Sequence, residues 1–256
     1  VYIVTMDPRA VYTMDADRAA FVIRPGLAMT GSVTTEETLV SAVGHDFNWI
    51  EGAINADTDG LGILLEDTDF SVIRNVKISD ANQGHMGIGL FVSGSSNCHI
   101  SDVQALNTEG AGMLVAWGSS YNTFRNIFAV GNAWLSEITL DGAHHNDLEN
   151  LTAAGSRQIG LYIYDSSYNI IKDVHAANNG SRGIQLDRQS HDNVLMDITT
   201  TCNGGEGAAI YGSHDNVFIG LTSSGNNGEG IALTGYEFNS EIYYTSNNVF
   251  ANTTGA

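Results

Sequence analysis

Asp141 and Asp187 are the residues of this 256-residue chain best placed for acid–base chemistry, because they share a column with two tyrosines. The column reads Ala116, Asp141, Tyr164, Asp187, Tyr211, Thr234, at steps of 25, 23, 23, 24 and 23 residues. Beside it runs a second column, Thr139, Tyr162, Gln185, Ala209, Ala232, with Trp117 on its flank. Tyrosine rings stack on the apolar face of a sugar, while carboxylates and amides bond its hydroxyls. If each step is one strand spacing, the Asp141 and Asp187 backbones stand about 9.6 Å apart. An inverting glycosidase holds its two carboxyl groups roughly 6.5–9.5 Å apart. Asp141 and Asp187 are therefore the candidate catalytic carboxylates. Tyr162, Tyr164, Gln185, Tyr211 and Trp117 are the candidate substrate contacts. The same residue types also occur on exposed strands with no ligand at all.

A histidine column lies alongside. His144, His191 and His214 each sit two residues before an asparagine, with Ser167 in the intervening repeat. A histidine here would serve as general acid or base, and the column would otherwise ligate a transition metal. Surface turn histidines do neither. His191 joins the candidate catalytic set, and so does Arg188, which follows Asp187 and would neutralise a uronate carboxylate. Arg157 and Arg182 precede the same strands, whereas Arg125 and Lys172 read as solvated charges on another face. No spacing matches a known metal motif, so no metal ligand is assigned.

These columns exist because the chain repeats. A polar or Gly residue followed by an aliphatic one recurs at Asn75-Val76, Asp102-Val103, Asn126-Ile127, Asn150-Leu151, Asp173-Val174, Asp197-Ile198 and Gly220-Leu221. The steps are 27, 24, 24, 23, 24 and 23, and Gly52 fits as an earlier, weaker copy. Ten residues after the mark comes Gly62, Gly112, Gly160, Gly183, Gly207 or Gly230, with Ser136 in one repeat. A third column, Asn122, Asn146, Asn169, Asn193, Asn216, closes each repeat with a residue that tolerates the left-handed backbone. Segments such as Gly183-Ile184-Gln185-Leu186-Asp187 alternate with period two, and no helical period of useful length appears. One period with several turn columns signals a solenoid. The expected fold is all-β, a single-stranded parallel β-helix of about eight recognisable rungs of about 24 residues. Met113/Val115, Ile138/Leu140, Leu161/Ile163, Ile184/Leu186, Ile210 and Ile231/Leu233 would stack inside it.

The Asn-x-Ile-x-Asp-Val and Gly-Ile-x-Leu columns resemble the right-handed, pectate-lyase-like β-helix superfamily. They are especially similar to carbohydrate-binding and sugar-hydrolysis repeats, NosD-type periplasmic proteins and mannuronan-epimerase modules. The resemblance covers residues 48 to 234. It implies right-handed coiling, export, and work on or at polysaccharides. Lyases of that superfamily use Lys or Arg near a Ca²⁺ site, and no stacked Asp cluster with a basic pair stands out here. The epimerase signature Tyr-Gly-x-Asp-Pro-His is missing. Asn107-Thr108-Glu109 and Gly84-His85-Met86-Gly87 are near misses to polygalacturonase motifs, in the wrong order.

The ends depart from the repeat. Residues 1–45 read as irregular first rungs or a cap, with short strands at Val1–Thr5 and at 21–23. Residues 46–234 form the β-helix proper. Residues 235–256 hold an insertion, Tyr236 to Tyr244, and an incomplete final rung that copies Asn216-Val217-Phe218 as Asn248-Val249-Phe250. An open sheet edge templates association, so end-to-end or homo-oligomeric self-association is an expected partner mode.

Lys and Arg number 10 against 29 Asp and Glu, a net charge of −19. That excludes nucleic acid as a natural partner and repels a polyanionic glycan unless a cation such as Ca²⁺ bridges it. No membrane span or signal segment is visible, and a start at Val1 reads as a processed or excised chain. Cys98 and Cys202 fall four rungs apart, roughly 19 Å, too far for a disulfide. The leading expectation is a secreted or surface protein, extracellular or periplasmic, that binds polysaccharide, with hydrolysis ahead of lysis on the Asp/Tyr face. The alternatives are a non-catalytic structural or adhesive solenoid, of fibre or tailspike type, and a periplasmic metal-handling protein resting on the histidine column.

Overall fold

The computed structural model describes the backbone of strands Met14–Asp15, Phe21–Val22, Ala28–Thr35, Val40–Val43 and Trp49–Ala56, and then residues 61–255 apart from 80, 82–86, 133 and 239–240. The strand expected at Val1–Thr5 and most of the Gly84–Gly87 motif lie outside the described residues. Among these residues there is no helix.

Each repeat supplies one long and one short strand. The long strands, such as Thr123–Val130, Asp147–Ala154 and Ile170–Ala177, stack in one parallel sheet. The short strands, such as Met113–Ala116, Ile138–Asp141, Leu161–Tyr164 and Ile184–Asp187, stack in a second parallel sheet of ten. The apolar layer lies between them. Met113, Val115, Ile138, Leu140, Leu161, Ile163, Ile184, Leu186 and Ile210 are all at 0 % exposure. Each such side chain contributes about 1.5–3 kcal/mol relative to an exposed one. The expected inward ladder ends early: Leu233, on the last short strand, is 53 % exposed, because no described short strand stacks beyond it.

The repeat mark has a backbone cause. Asn75, Asp102, Asn126, Asn150, Asp173, Asp197 and Gly220 all carry a positive φ, between 51° and 71°. Each sits inside a long strand or, for Gly220, between two shorter ones, and is skipped in the ladder register, so that Ile127 pairs Leu151 while the Asn126 side chain bonds Asp102 and Asn150. The inward positions therefore jump by three, Phe124 to Ile127, before the period of two returns at Ala129. Asn, Asp and Gly occupy the column because other residues adopt this conformation at a cost.

The asparagines that close each repeat are not left-handed themselves; that conformation falls one residue earlier, at Tyr121, His145, Tyr168, Asp192 and Asp215. The asparagines are buried, and each Oδ1 accepts from the backbone N–H one rung back: Asn122 to Asn146 at 3.0 Å, Asn146 to Asn169 at 2.9 Å, Asn169 to Asn193 at 3.0 Å and Asn193 to Asn216 at 3.0 Å. Cys98 donates its N–H to Asn122 at the head of the ladder, and Asn248 receives Asn216 beyond the insertion. Both cysteines are free thiols.

The glycine column lies beside a second asparagine ladder. A Cβ on Gly183 would stand 2.6 Å from the Gly207 carbonyl and 2.8 Å from the Asn203 amide. One repeat departs from this column, and the residue there is Glu137 rather than Ser136, because Ile138 pairs Met113.

Candidate functional site

The short-strand sheet presents the expected columns in register. Asp141 pairs Tyr164 and Tyr164 pairs Asp187, while Thr139, Tyr162 and Gln185 align beside them. Asp141 and Asp187 thus stand two rungs apart. The second column is less open than its alternation implies: Thr139, Gln185 and Ala209 are buried, at 8 %, 6 % and 0 % exposure, because the larger side chains of the first column and the turns fold over them.

Asp187 is the hub of this face. Its Oδ2 accepts from Tyr162 Oη at 3.3 Å and from Gln185 Nε2 at 3.1 Å. Its Oδ1 accepts from the Arg188 backbone N–H and from Tyr236 Oη, both at 2.7 Å. Burial, and then the Asp187 charge, push the Tyr162 hydroxyl well above the ordinary tyrosine range. Tyr236 is pushed up to about 12, by burial first and then by its bond to Asp187. Both phenols stay protonated donors at neutral pH. Asp141 is freer. Burial, and then the neighbouring Asp165 carboxylate, raise its pKa above the usual Asp value.

The basic residues tie the face together. Arg182 donates to Gln185 Oε1 at 3.1 Å, pairs Glu206 at 2.8 Å and lies over the Tyr211 ring at 5.0 Å. The Arg188 guanidinium lies over Tyr164 at 5.4 Å and bonds Tyr236. Trp117 flanks the far end, 66 % exposed and edge-on to Phe91.

His191 belongs to a different surface. The isolated parallel bridges run His144, Ser167, His191, His214 along the turn edge, in the expected register. Its Nδ1 pairs Asp192 at 2.8 Å, not Asp187, and His214 pairs Asp215 in the same way at 2.8 Å. The two imidazoles stack with centroids 5.2 Å apart. Tyr121, His145 and Tyr168 form a second stack, at 5.0 and 4.9 Å, that meets His191 edge-on through Tyr168. Arg125, read as a solvated charge, instead bridges Asp147 at 2.8 Å and Glu149 at 3.0 Å one rung on.

Tyr236 and Glu206 are the site residues that column reasoning missed, while the sequence already places Arg182 before the same strands. Tyr236 comes from the insertion, whose strands Tyr236–Phe238 and Glu241–Tyr243 pair as an antiparallel hairpin. Its sequence signal was the step from Asn216 to Asn248, 32 residues instead of about 24, filled with Tyr and Phe.

The comparisons extend this picture. The family profile for periplasmic copper-binding protein (NosD) matches residues 62–197 and 136–256. The A-module of Azotobacter vinelandii mannuronan C-5 epimerase AlgE4 superposes with a TM-score of 0.76 at 16 % identity, over 91 % of this chain and 73 % of that one. The periplasmic alginate epimerase AlgG gives 0.56 at 9 % identity over 92 % and 77 %. The Dettilon tailspike protein gives 0.57 at 11 % identity over 89 % and 56 %. No curated protein sequence matches the chain. At these identities the likenesses establish the fold, a right-handed parallel β-helix, while the profile covers most of the sequence: the chain belongs to the NosD family.

Proposed function

We propose that this is a periplasmic or extracellular polysaccharide-binding β-helix whose ligand lies on the short-strand sheet. The observation that carries the reading is the Asp187 hub. A carboxylate held by Tyr162, Gln185, Arg188 N–H and Tyr236, among the half-buried rings of Tyr164 and Tyr211, is a rigid array of aromatic faces and hydroxyl partners. Sugars are recognised by that combination. The solved neighbours include two alginate epimerases and a tailspike protein, which agrees with glycan contact.

Hydrolysis is the finer reading on the same residues. Asp141, its pKa raised, would act as the acid, and Asp187, which receives four hydrogen bonds, would act as the base two rungs away. A panel of neutral and uronic polysaccharides tests both readings, with binding and new reducing ends followed together. Binding that Tyr164→Ala and Trp117→Ala abolish supports the platform. Reducing ends that vanish in Asp141→Asn and Asp187→Asn support the hydrolase, and binding without turnover leaves a binding protein.

The family's name raises copper. Among the described residues no group of three or more His, Cys, Asp or Glu is placed to hold a metal. His191 and His214 offer two imidazoles whose Nδ1 atoms are engaged by carboxylates, which is how ligating histidines are oriented. Their parallel stacking at 5.2 Å leaves the rings too far apart to share one ion at about 2 Å from each nitrogen without rotating. An enclosed copper centre does not fit these residues, and the metal-handling reading stands second. Copper titration of the chain and of His191→Ala with His214→Ala decides it.

A further inference from the structure

We infer that the hairpin Tyr236–Tyr243 is an end wall that makes the polysaccharide face select the terminus of a glycan chain over its interior; this rests on the binding reading above. The hairpin leaves the stack after Thr234 and returns to it before Asn248. It is seated on the short-strand face, not held off in solvent. Tyr243 is 8 % exposed, and a Cβ on Gly212 would stand 2.3 Å from the Tyr243 Cβ. Tyr236 and Tyr243 stack with centroids 5.0 Å apart, and Tyr236 reaches back to Asp187 at 2.7 Å. Thr245 fastens the returning chain to the Thr234 carbonyl at 2.8 Å.

The wall stands on one side only. From Asp187 the outward column continues through Tyr164 and Asp141 to Ala116, a buried and small residue, beside the projecting Trp117. A chain lying along the axis from Trp117 would run over Asp141 and Tyr164, and would meet the paired tyrosine rings at Asp187. Its last sugar would sit against Asp187, with the hydroxyls of Tyr162 and Tyr236 around it. A chain passing through has no exit on that side.

The test is binding stoichiometry by isothermal titration, using short, medium and long size fractions of linear neutral glucans and polyuronates. Two proteins are compared: the native chain and the Tyr243→Ala variant, which removes the ring that seats the hairpin over Gly212 and leaves Asp141, Tyr164, Asp187 and Tyr236 in place. Gly212→Ala serves as the second variant if the first fails to fold, since its added methyl lifts the hairpin directly. The expected result is one native protein per glycan chain at every chain length, and more than one variant protein on the longer chains. Native stoichiometry that grows with length overturns the wall and leaves the binding platform intact. One protein per chain for native and variants alike also overturns it, because the terminus is then chosen elsewhere. No binding by any of the proteins removes the platform, and the wall with it.

Discussion

Two buried ladders run along the later rungs of this solenoid, one intact and one mended. Along one edge Asn122, Asn146, Asn169, Asn193, Asn216 and Asn248 repeat without a break, each amide serving the backbone N–H of the rung before it. Along the other, Asn132, Asn179, Asn203 and Asn226 do the same, but the rung between Asn132 and Asn179 carries Ser156. There Glu137 takes over. Its carboxyl accepts from the Asn132 backbone N–H at 3.1 Å and from the Asn132 amide. The two departures explain each other. Glycine is kept beside this ladder because a Cβ would strike the amide, as at Gly160, where it would stand 2.7 Å from Asn179 Nδ2. A residue as large as Glu137 therefore excludes asparagine at 156 and must itself supply the missing acceptor. The column demands an acceptor at each rung, not an asparagine.

The largest effect is expected from cutting the intact ladder. Asn169→Ala removes the acceptor of the Asn146 N–H and the donor to the Ala143 carbonyl, and leaves both groups buried. At roughly 1–3 kcal/mol per buried unsatisfied group, the loss is on the order of 2–6 kcal/mol, read as a lower denaturant midpoint. Next comes the mended rung. Glu137→Gly alone and Ser156→Asn alone each destabilise, by an orphaned N–H and by a clash respectively. The double change restores the regular ladder, so the cycle is strongly non-additive. Additive losses would show that Glu137 does not replace an asparagine.

The mended rung also titrates. Burial raises the Glu137 pKa from the ordinary 4.5 to about 7, against the lowering pull of the Asn132 donors. The folded chain thus keeps a proton that the unfolded chain releases. The resulting stability is fully present below about pH 4.5 and is lost as the pH rises through about 7, up to roughly 3 kcal/mol. Denaturation across that window measures the slope, and the Glu137→Gly, Ser156→Asn protein should lack it. The smallest effect is on the surface: Arg125→Ala breaks the pairs to Asp147 and Glu149 at a cost below about 1 kcal/mol, since such exposed pairs are screened by solvent.

Much of this was legible in the residues. The mark at Asn126 or Asp173 was read only as the beat of the repeat; its left-handed backbone came from the structure. The outward column Asp141, Tyr164, Asp187 was readable because period two fixes which side chains share a face. The ladder role of Asn146 was half legible. Its residue type signalled a turn, but its burial, and the transfer of the left-handed conformation to His145, depend on which way the turn faces. Glu137 was missed because counting ten residues from the mark lands on Ser136, and the shift to Glu137 needs a register that only the pairing of Ile138 with Met113 supplies.

The sequence by itself determined the parallel β-helix, the columns and the separation of Asp141 from Asp187 in rungs, because a fixed period turns spacing along the chain into position along an axis. Only the tertiary structure decided that Tyr236 bonds Asp187, that Arg188 lies over Tyr164, and that Gln185 is buried. Those contacts join residues through an insertion and through turns that have no period, and side chains there are placed by packing, not by spacing.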